Sequence, residues 1–294
     1  MDWQKKEKII KYILLFFALS SIIFLTGIVI VLFREGLPIF QKVGVFDFIF
    51  GKEWYPTYDP ASFGILPLLS ASLLVTFGSM VLAVPIGLAS SIYISYILPK
   101  KLKNFVKPAI ELLAGIPSVI YGLFGMKILG PFIKDLFGLP TGLTALTASI
   151  MLGIMALPTI VSLSEDAITS IPKRYRDASL ALGGTRWETI SRVILPTASS
   201  GIVTAVILGM GRAIGETMTV LMVAGGAAAM PSSFLKPVRP MTATIAAEMG
   251  EAPVGSEHYQ ALFGIAIILF IITLTFNVIA DLASRRFKKK VSGQ

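Results

Sequence analysis

The chain has 294 residues, of which 54% are hydrophobic and 15% charged, and it contains no Cys. Soluble domains average about 25% charged residues, so this chain has too few charges to cover a soluble surface, and its hydrophobicity excludes intrinsic disorder. The missing Cys excludes disulfide scaffolds and thiol enzymes, while the net charge of +9 is compatible with binding to nucleic acid or to a membrane.

Six apolar segments are long enough to cross a bilayer, which takes about 20 mostly apolar residues in a helix. In chain order they are 12–33, 66–98, 108–126, 143–163, 196–224 and 262–280. The first is longer than the apolar core of a signal peptide and no small-residue cleavage site follows it, so we expect it to remain as a span. The sequence therefore predicts an all-α polytopic membrane protein with six transmembrane helices.

The basic residues are distributed unequally between the two sides of these spans. Of the 26 Lys and Arg residues, 18 lie on the side of the termini, 7 lie on the other side, and Arg212 lies within a span. Cytoplasmic segments carry the excess of Lys and Arg, so we expect both termini in the cytoplasm. The basic surplus then reflects topology, and nucleic-acid binding is excluded as the reason for it.

The two long outer segments differ in composition. Segment 34–65 is rich in aromatic residues, Gly and Pro, which is typical of chain lying at the lipid headgroups. In segment 225–260 a turn-rich part precedes the nearly apolar stretch 241–252, which is too short to span and favours a re-entrant or interfacial helix. We expect His258 to be solvated, with no metal-ligand cluster around it.

The longest cytoplasmic connection, 164–192, has the pattern of short helices. Ser164 precedes two acids and is predicted to cap a helix. Residues 173–182 have helix-forming composition and end at Gly183-Gly184, and Thr185 with Glu188 forms a capping-box pattern. We therefore predict two short cytoplasmic helices joined by a Gly-Gly turn, a protrusion that a partner could bind.

Arg212 and Glu216 lie deep within the fifth span, where a central charge costs at least about 2.5–3.5 kcal/mol. Their i, i+4 spacing puts both on one helix face, where they can pair. A guanidinium donates in a fixed fork that suits oxyanions, which predicts an anionic substrate. The alternative is a buried ion pair that only fixes helix packing. Gly211 and Gly215 form a G-x-x-x-G, for which helix packing is the predicted role.

Other signals are weaker or negative. Pro85, Pro117 and Pro158 each interrupt a span, as a kink or as irregular backbone beside a cavity. The sequence has no G-x-x-x-x-G-K-[ST] phosphate loop, no metal-ligand pattern and no nucleophile with a base at a suggestive spacing. We therefore predict no catalytic residues, no metal site and no enzyme activity on this chain.

The cytoplasmic helices and the residues after them resemble the EAA motif, E-A-A-x3-G-x9-I-x-L-P, of the membrane subunits of ABC importers. The spacing is kept throughout, with Asp, Ser and Val as conservative departures. The matching positions are Asp177, Ala178, Ser179, Gly183, Val193, Leu195 and Pro196. The resemblance implies a coupling helix that docks into a groove of a separate ATP-binding subunit.

A second match concerns the substrate. The octet GRAIGETM, residues 211–218, is similar to a segment of the PstC-type permease subunits of phosphate importers, and ELLAGIPSVIYGLFG (111–125) and MTATIAAEMGEA (241–252) also look like that subunit. Together the matches run from the third span to the sixth. The resemblance implies that Arg212 and Glu216 take part in phosphate transport.

The resemblance also implies an architecture and a set of partners. We expect a type I importer fold over the second to sixth helices, with a first helix and external segment (1–65) and a core permease domain (66–290). The expected partners are a homologous second permease, two ATP-binding subunits, an external phosphate-binding protein and the lipid bilayer of a prokaryotic inner membrane. ATP and Mg²⁺ would be held by the partner subunit, with no cofactor on this chain. A permease for sulfate, molybdate or another oxyanion, and an ion-driven carrier or channel, remain as alternatives.

Overall fold

The computed structural model describes residues 3–292, and in that range the chain is mainly helical. A two-stranded antiparallel ribbon, β1 (Trp54–Tyr55) and β2 (Ser62–Phe63), pairs Trp54 with Phe63 and is the only sheet of the described part. The helices are α1 Trp3–Val43, α2 Val45–Phe50, α3 Leu66–Ile92, α4 Lys100–Ala114, α5 Ser118–Phe124, α6 Gly130–Phe137, α7 Ala145–Thr169, α8 Lys173–Ala181, α9 Arg186–Glu188, α10 Leu195–Ile214, α11 Met218–Val223, α12 Met241–Glu248 and α13 Glu257–Ser292.

The prediction of six spans is confirmed, with the predicted third and fifth spans each interrupted. Among the described residues, five helices are long and apolar enough to cross a membrane, and α4 with the helical chain over Ser118–Phe137 makes a sixth that is bent by 88°. The third predicted span, 108–126, is therefore not a straight helix. Gly115 and Pro117 explain the break, because Pro lacks the backbone N–H and restricts the residue before it.

The centre of the molecule is the packing of α7 against α3 and α10. A buried cluster joins Val75 of α3, Leu152 of α7 and Ala213 of α10 with side chains of α11 and α12. The helices approach closely where glycines replace larger residues: a Cβ on Gly209 of α10 would lie 2.6 Å from Ile160 Cγ1 of α7. Small residues at such positions let two helices pack at short range.

The aromatic segment after α1 is partly inside the protein. Phe48 of α2 and Trp54 of β1 are buried together with Leu262 and Ile265 of α13, whereas Phe46 is 78% exposed. The expectation of an interfacial segment thus applies to only part of the aromatic side chains, because several of them fill the space against α13. Residues 7–28 of α1 are almost all exposed, which fits a lipid-facing span.

The connection 164–192 contains the two short helices that were predicted, α8 and α9. Thr185 and Glu188 form the predicted capping box, with the Thr185 N–H donating to Glu188 Oε2 at 2.9 Å and the Glu188 N–H to Thr185 Oγ1 at 3.2 Å. The expectation that Ser164 caps a helix was wrong, because α7 continues through it to Thr169. Its side chain is fully buried, so Ser164 belongs to the helix interior.

Candidate functional site

Arg212 lies in the last turn of α10, where two broken spans meet. Its Nη2 donates to the backbone oxygen of Ala114 at 3.1 Å, and its Nη1 donates to Thr159 Oγ1 of α7 at 3.3 Å. Ala114 ends α4, and the last carbonyls of a helix lack intrahelical partners and carry partial negative charge. The break after α4 therefore supplies an acceptor for the guanidinium.

The predicted pairing of Arg212 with Glu216 was wrong. None of the ion pairs within 4.0 Å among the described residues includes either side chain. The i, i+4 rule requires a continuous helix, and α10 ends at Ile214. Glu216 Oε1 instead accepts the backbone N–H of Thr219 at 3.3 Å, at the start of α11. The guanidinium thus has no carboxylate partner in the described part of the chain.

The break between α10 and α11 is fixed by hydrogen bonds to two other elements. Thr219 Oγ1 donates to the Ser118 oxygen of α5 at 2.9 Å, and Thr242 Oγ1 of α12 donates to the Glu216 oxygen at 2.7 Å. These side chains satisfy backbone oxygens that the breaks expose. Polar contacts therefore join the two interrupted spans and α12 beside Arg212.

The described residues of this chain leave no open space beside these polar contacts. Arg212 and Glu216 line a gap against Leu152, Met155 and Ala156 of α7 that has no volume for a water molecule. An anion at Arg212 would need either a movement of the helices or a surface completed by another subunit. The half-buried guanidinium makes two hydrogen bonds within the described residues, and its five N–H donors leave three for a ligand.

Gly211 and Gly215 do not bring another helix of this chain close to α10. A Cβ on Gly211 would have no heavy atom within 4 Å, and one on Gly215 would contact only the backbone oxygens of its own segment. Their predicted packing role stays a prediction, and it concerns a face of α10 that this chain leaves open.

The residues that match the EAA motif surround the turn between α8 and α9. Asp177 and Ala178 are exposed on α8, and Ser179 Oγ lies 2.9 Å from Thr189 Oγ1, which links α8 to the π-helical turn leading into α10. Gly183 has φ +83°, a left-handed conformation that favours glycine. Leu195 and Pro196 begin α10, which continues the helical chain from Arg186 through the π-helical turn.

These elements form a groove with apolar side chains at its edges. The groove has a volume of about 780 Å³ and is lined mainly by α8 and by the chain after the Gly-Gly turn. Beside it Leu182 is 90% exposed and Trp187 is 64% exposed. Large apolar side chains on such a protrusion are typical of a protein–protein contact. The coupling role of these residues stays a prediction.

Two clusters of ion pairs were not predicted from the sequence. Glu165 near the end of α7 is only 2% exposed and pairs with Lys103 and with Lys107 of α4, the latter at 2.6 Å; Lys107 also pairs with Asp166. The i, i+4 lysines of one segment and the adjacent acids of another were the available signal. This cluster joins the start of α4 to the chain that enters α8.

The second cluster centres on Glu248 at the end of α12. Its carboxylate accepts from Trp54 Nε1 at 3.1 Å, pairs with Arg239, and lies 2.9 Å from His258 Nε2. The expectation of a solvated His258 was wrong, since its side chain is only 12% exposed. No group of metal-binding side chains occurs among the residues that the structure describes.

The family model for binding-protein-dependent transport system inner membrane components matches residues 83–293. The chain belongs to this family. It is thus a membrane permease subunit of ABC importers, a class that lacks ATPase activity itself and pairs with a second permease, ATPases and a substrate-binding protein.

Curated relatives cover most of this permease. It is 39% identical to the probable ABC transporter permease protein YqgH of Bacillus subtilis, over 92% of this chain and 88% of that protein. It is 33% identical to the phosphate transport system permease protein PstC of Mesorhizobium japonicum, over 90% and 85% of the two chains. The PstC protein of Pasteurella multocida is 32% identical, over 94% and 90%.

Solved structures show the fold. The permease is similar to a chain of the bacterial alginate ABC transporter in complex with an alginate pentasaccharide-bound periplasmic protein, with a TM-score of 0.66, 17% identity and coverage of 97% and 96%. A chain of the inward-facing MetNI methionine ABC transporter matches with a TM-score of 0.60, 20% identity and coverage of 76% and 95%. The expected type I importer fold is confirmed.

Proposed function

We propose that this permease forms the translocation path of an ATP-driven inorganic phosphate importer. The observation that carries the proposal is the state of Arg212, a half-buried guanidinium between two broken spans with no carboxylate within 4.0 Å among the described residues. Such a cation attracts an oxyanion, and its fork geometry suits phosphate. The relatives named phosphate transport permease support phosphate as that oxyanion.

Energy reaches the path through the groove at α8. ATP and Mg²⁺ are bound by two partner ATPase subunits, and this chain carries no cofactor. The exposed Asp177 and Ala178 and the Gly183 turn contact the ATPase, whose closure moves α8. Because α10 runs from Leu195 to Ile214 and carries Arg212 in its last turn, a shift of α8 is transmitted along one helix to the anion site.

Both termini and the α8–α9 surface lie in the cytoplasm of a prokaryotic cell. Of the 26 basic residues, 18 fall on this side in the order of the spans, which supports the assignment. An external phosphate-binding protein then delivers the anion to the opposite face, and a homologous second permease completes the path. Glu216, which caps α11 beside Arg212, lies on that path.

Transport by the purified complex tests this proposal. The chain is co-purified with its partner subunits, reconstituted into proteoliposomes with the external binding protein, and supplied with radiolabelled phosphate. We expect uptake that requires ATP and that unlabelled phosphate, but not sulfate or molybdate, inhibits. ATP-driven uptake of sulfate or molybdate in place of phosphate would contradict the assignment of the anion. Phosphate uptake without ATP would contradict the ATP-driven mechanism.

A further inference from the structure

Glu111 is an acidic side chain in the apolar half of α4, to which the function derived above gives no task. Its Oε1 accepts a hydrogen bond from Ser162 Oγ of α7 at 3.2 Å. Its neighbours Leu112 and Leu113 are 76% and 48% exposed, as expected for a surface that faces lipid or another subunit. None of the described cations lies within 4.0 Å of its carboxylate.

The Glu111–Ser162 pair lies three residues along α4 and along α7 from the two groups that bind Arg212. Ala114, whose oxygen binds the guanidinium, follows Glu111 by three residues, and Thr159, which also binds it, precedes Ser162 by three. Three residues of helix rise by about 4.5 Å. Arg212 and Glu111 therefore lie at the same part of the α4–α7 contact, where one anion would have to contact both side chains.

A carboxylate at this place has unused acceptors. An ionised carboxylate offers about four lone-pair sites, and Ser162 is the one hydrogen-bond donor to the Glu111 side chain within the described chain. Acidic side chains inside transmembrane segments are rare, and they mark substrate or ion pathways by default. Glu111 is thus available to accept a hydrogen bond from a substrate.

We propose that Glu111 is a second anion contact, which selects oxyanions that still carry a proton. This inference rests on the proposed phosphate function, and it names the proton on the anion as the property by which the path discriminates between oxyanions. At neutral pH inorganic phosphate and arsenate keep at least one hydroxyl, whereas sulfate and molybdate keep none. The hydroxyl donates to the Glu111 carboxylate while the charged oxygens accept from Arg212, and such charge-assisted O–H···O⁻ bonds are short and strong.

An anion without a proton meets the opposite situation. Its oxygen and the Glu111 carboxylate face each other with like charge and no hydrogen between them, which is unfavourable. The same side chain therefore attracts phosphate and repels sulfate, and specificity arises from both effects. A hydrogen bond to a charged group of ordinary strength corresponds to about tenfold or more in affinity.

A positioning role for Glu111, through its bond to Ser162, predicts different behaviour. Glu111→Gln keeps the side-chain oxygen that accepts from Ser162, so it preserves the contact between α4 and α7 but replaces the carboxylate by a group that donates. Ser162→Ala does the reverse, because it removes the bond and leaves the carboxylate. The two variants therefore separate anion selection from helix packing.

The absence of Cys allows a local measurement. Gly115 is exposed beside Ala114, has φ −85°, and a Cβ there would contact only the Leu112 oxygen at 3.4 Å, so Gly115→Cys places one thiol of this chain near Arg212. The labelling rate of this thiol by a small charged thiol reagent is measured in the whole complex, without the external binding protein and at constant ionic strength. Phosphate, arsenate or sulfate is added, with and without a non-hydrolysable ATP analogue.

We expect phosphate and arsenate to slow labelling of Gly115→Cys at concentrations at least about tenfold lower than sulfate. Adding Glu111→Gln should bring this ratio toward one, because the amide donates to sulfate, and adding Ser162→Ala should leave it unchanged. If Glu111→Gln does not assemble with the ATPases, Glu111→Asp replaces it. That variant should keep the ratio above one, because its carboxylate still accepts from a protonated anion, although phosphate and arsenate protect less than in the parent.

Four results would overturn the inference: an unchanged ratio in Glu111→Gln, a ratio of one in Glu111→Asp, an equal loss of the ratio in Ser162→Ala, or no slowing by any anion. Phosphate uptake by the complex without the Cys substitution is measured alongside. If that uptake is present while the ratio behaves in one of these ways, Glu111 has no selective role and the proposed function stands. If the uptake itself is absent, the proposed function is wrong.

Discussion

Arg212 Nη2 donates to the backbone oxygen of Ala114 at 3.1 Å, across 98 residues of sequence. This bond joins the end of α10 to the end of α4, so the guanidinium lies where two helices are interrupted. Because the acceptor is a carbonyl rather than a carboxylate, no negatively charged side chain of the described residues lies within 4.0 Å of the guanidinium. An anion can bind there without first displacing an ion-pair partner.

The cluster around Glu165 should contribute strongly to stability. In Lys103→Met/Lys107→Met the 2% exposed Glu165 loses both cations, and leaving one charge of a buried pair alone costs about 3–5 kcal/mol. The lysines are about a quarter exposed, so we expect the lower end of that range. Thermal unfolding of the detergent-purified complex measures the loss.

Two further variants control that measurement. Adding Glu165→Gln to the double lysine variant removes the isolated charge and should recover much of the melting temperature. Lys42→Met breaks the exposed pair with Glu257 and should change stability by less than about 1 kcal/mol. A double lysine variant as stable as the parent would show that the cluster contributes nothing.

The Gly183 turn should matter for coupling beyond its backbone strain. Gly183 has φ +83° and open space around its Cα, so Gly183→Ala imposes about 1–2 kcal/mol of strain without a clash. Gly138, with φ +62° and equally open, serves as the control in Gly138→Ala. Both variants should lower the melting temperature alike, but only Gly183→Ala should lower uptake and stimulated ATPase activity. Equal uptake in the two variants would contradict a coupling role.

The cluster around Glu248 should hold the ribbon and α12 against α13. Glu248→Ala leaves Trp54 Nε1 and Arg239 Nη1 without their acceptor, which should cost about 2–3 kcal/mol. Glu251→Ala, three residues further on and exposed, should stay within about 0.5 kcal/mol of the parent. Melting temperatures test the difference, and equal values for the two variants would show that Glu248 is dispensable.

Substitution of two glycines of α10 by larger residues should affect the stability of the chain differently. Gly209→Ala places a Cβ 2.6 Å from Ile160 and should destabilise the chain by about 1–3 kcal/mol. Gly211→Leu meets open space in this chain, so its folding should be unaffected. If Gly211 packs against the second permease, Gly211→Leu should reduce the amount of that subunit that co-purifies. Normal co-purification would contradict its packing role.

The sequence predicted the spans and the short helices because local composition and periodicity determine them. The capping box of Thr185 and Glu188 is such a local feature, and it was predicted correctly. The pairing of Arg212 with Glu216 was wrong because the rule assumed a helix through Gly215, whereas α10 ends before it. The actual acceptor is a backbone oxygen, which is present at every residue and therefore leaves no signal in the sequence.

The partners that acidic residues contact across long stretches of sequence could not be predicted either. Glu165 was interpreted as a first-turn acid of a new helix, although it lies inside α7 and binds lysines about 60 positions earlier. His258 was expected in solvent because nothing in its neighbourhood predicted Glu248 as its partner. Such contacts depend on how helices and loops pack, and pairwise spacing along the chain describes only neighbours on one element.

Phosphate uptake by Arg212→Gln in the reconstituted complex shows whether the guanidinium binds the transported anion. Glutamine keeps much of the side chain's length but removes the charge and the fork, while Arg34→Gln, at an exposed site, is the matched control. We expect Arg212→Gln to assemble with its partners and to import no phosphate, and Arg34→Gln to import it normally. Normal uptake by Arg212→Gln would show that transport does not depend on the guanidinium.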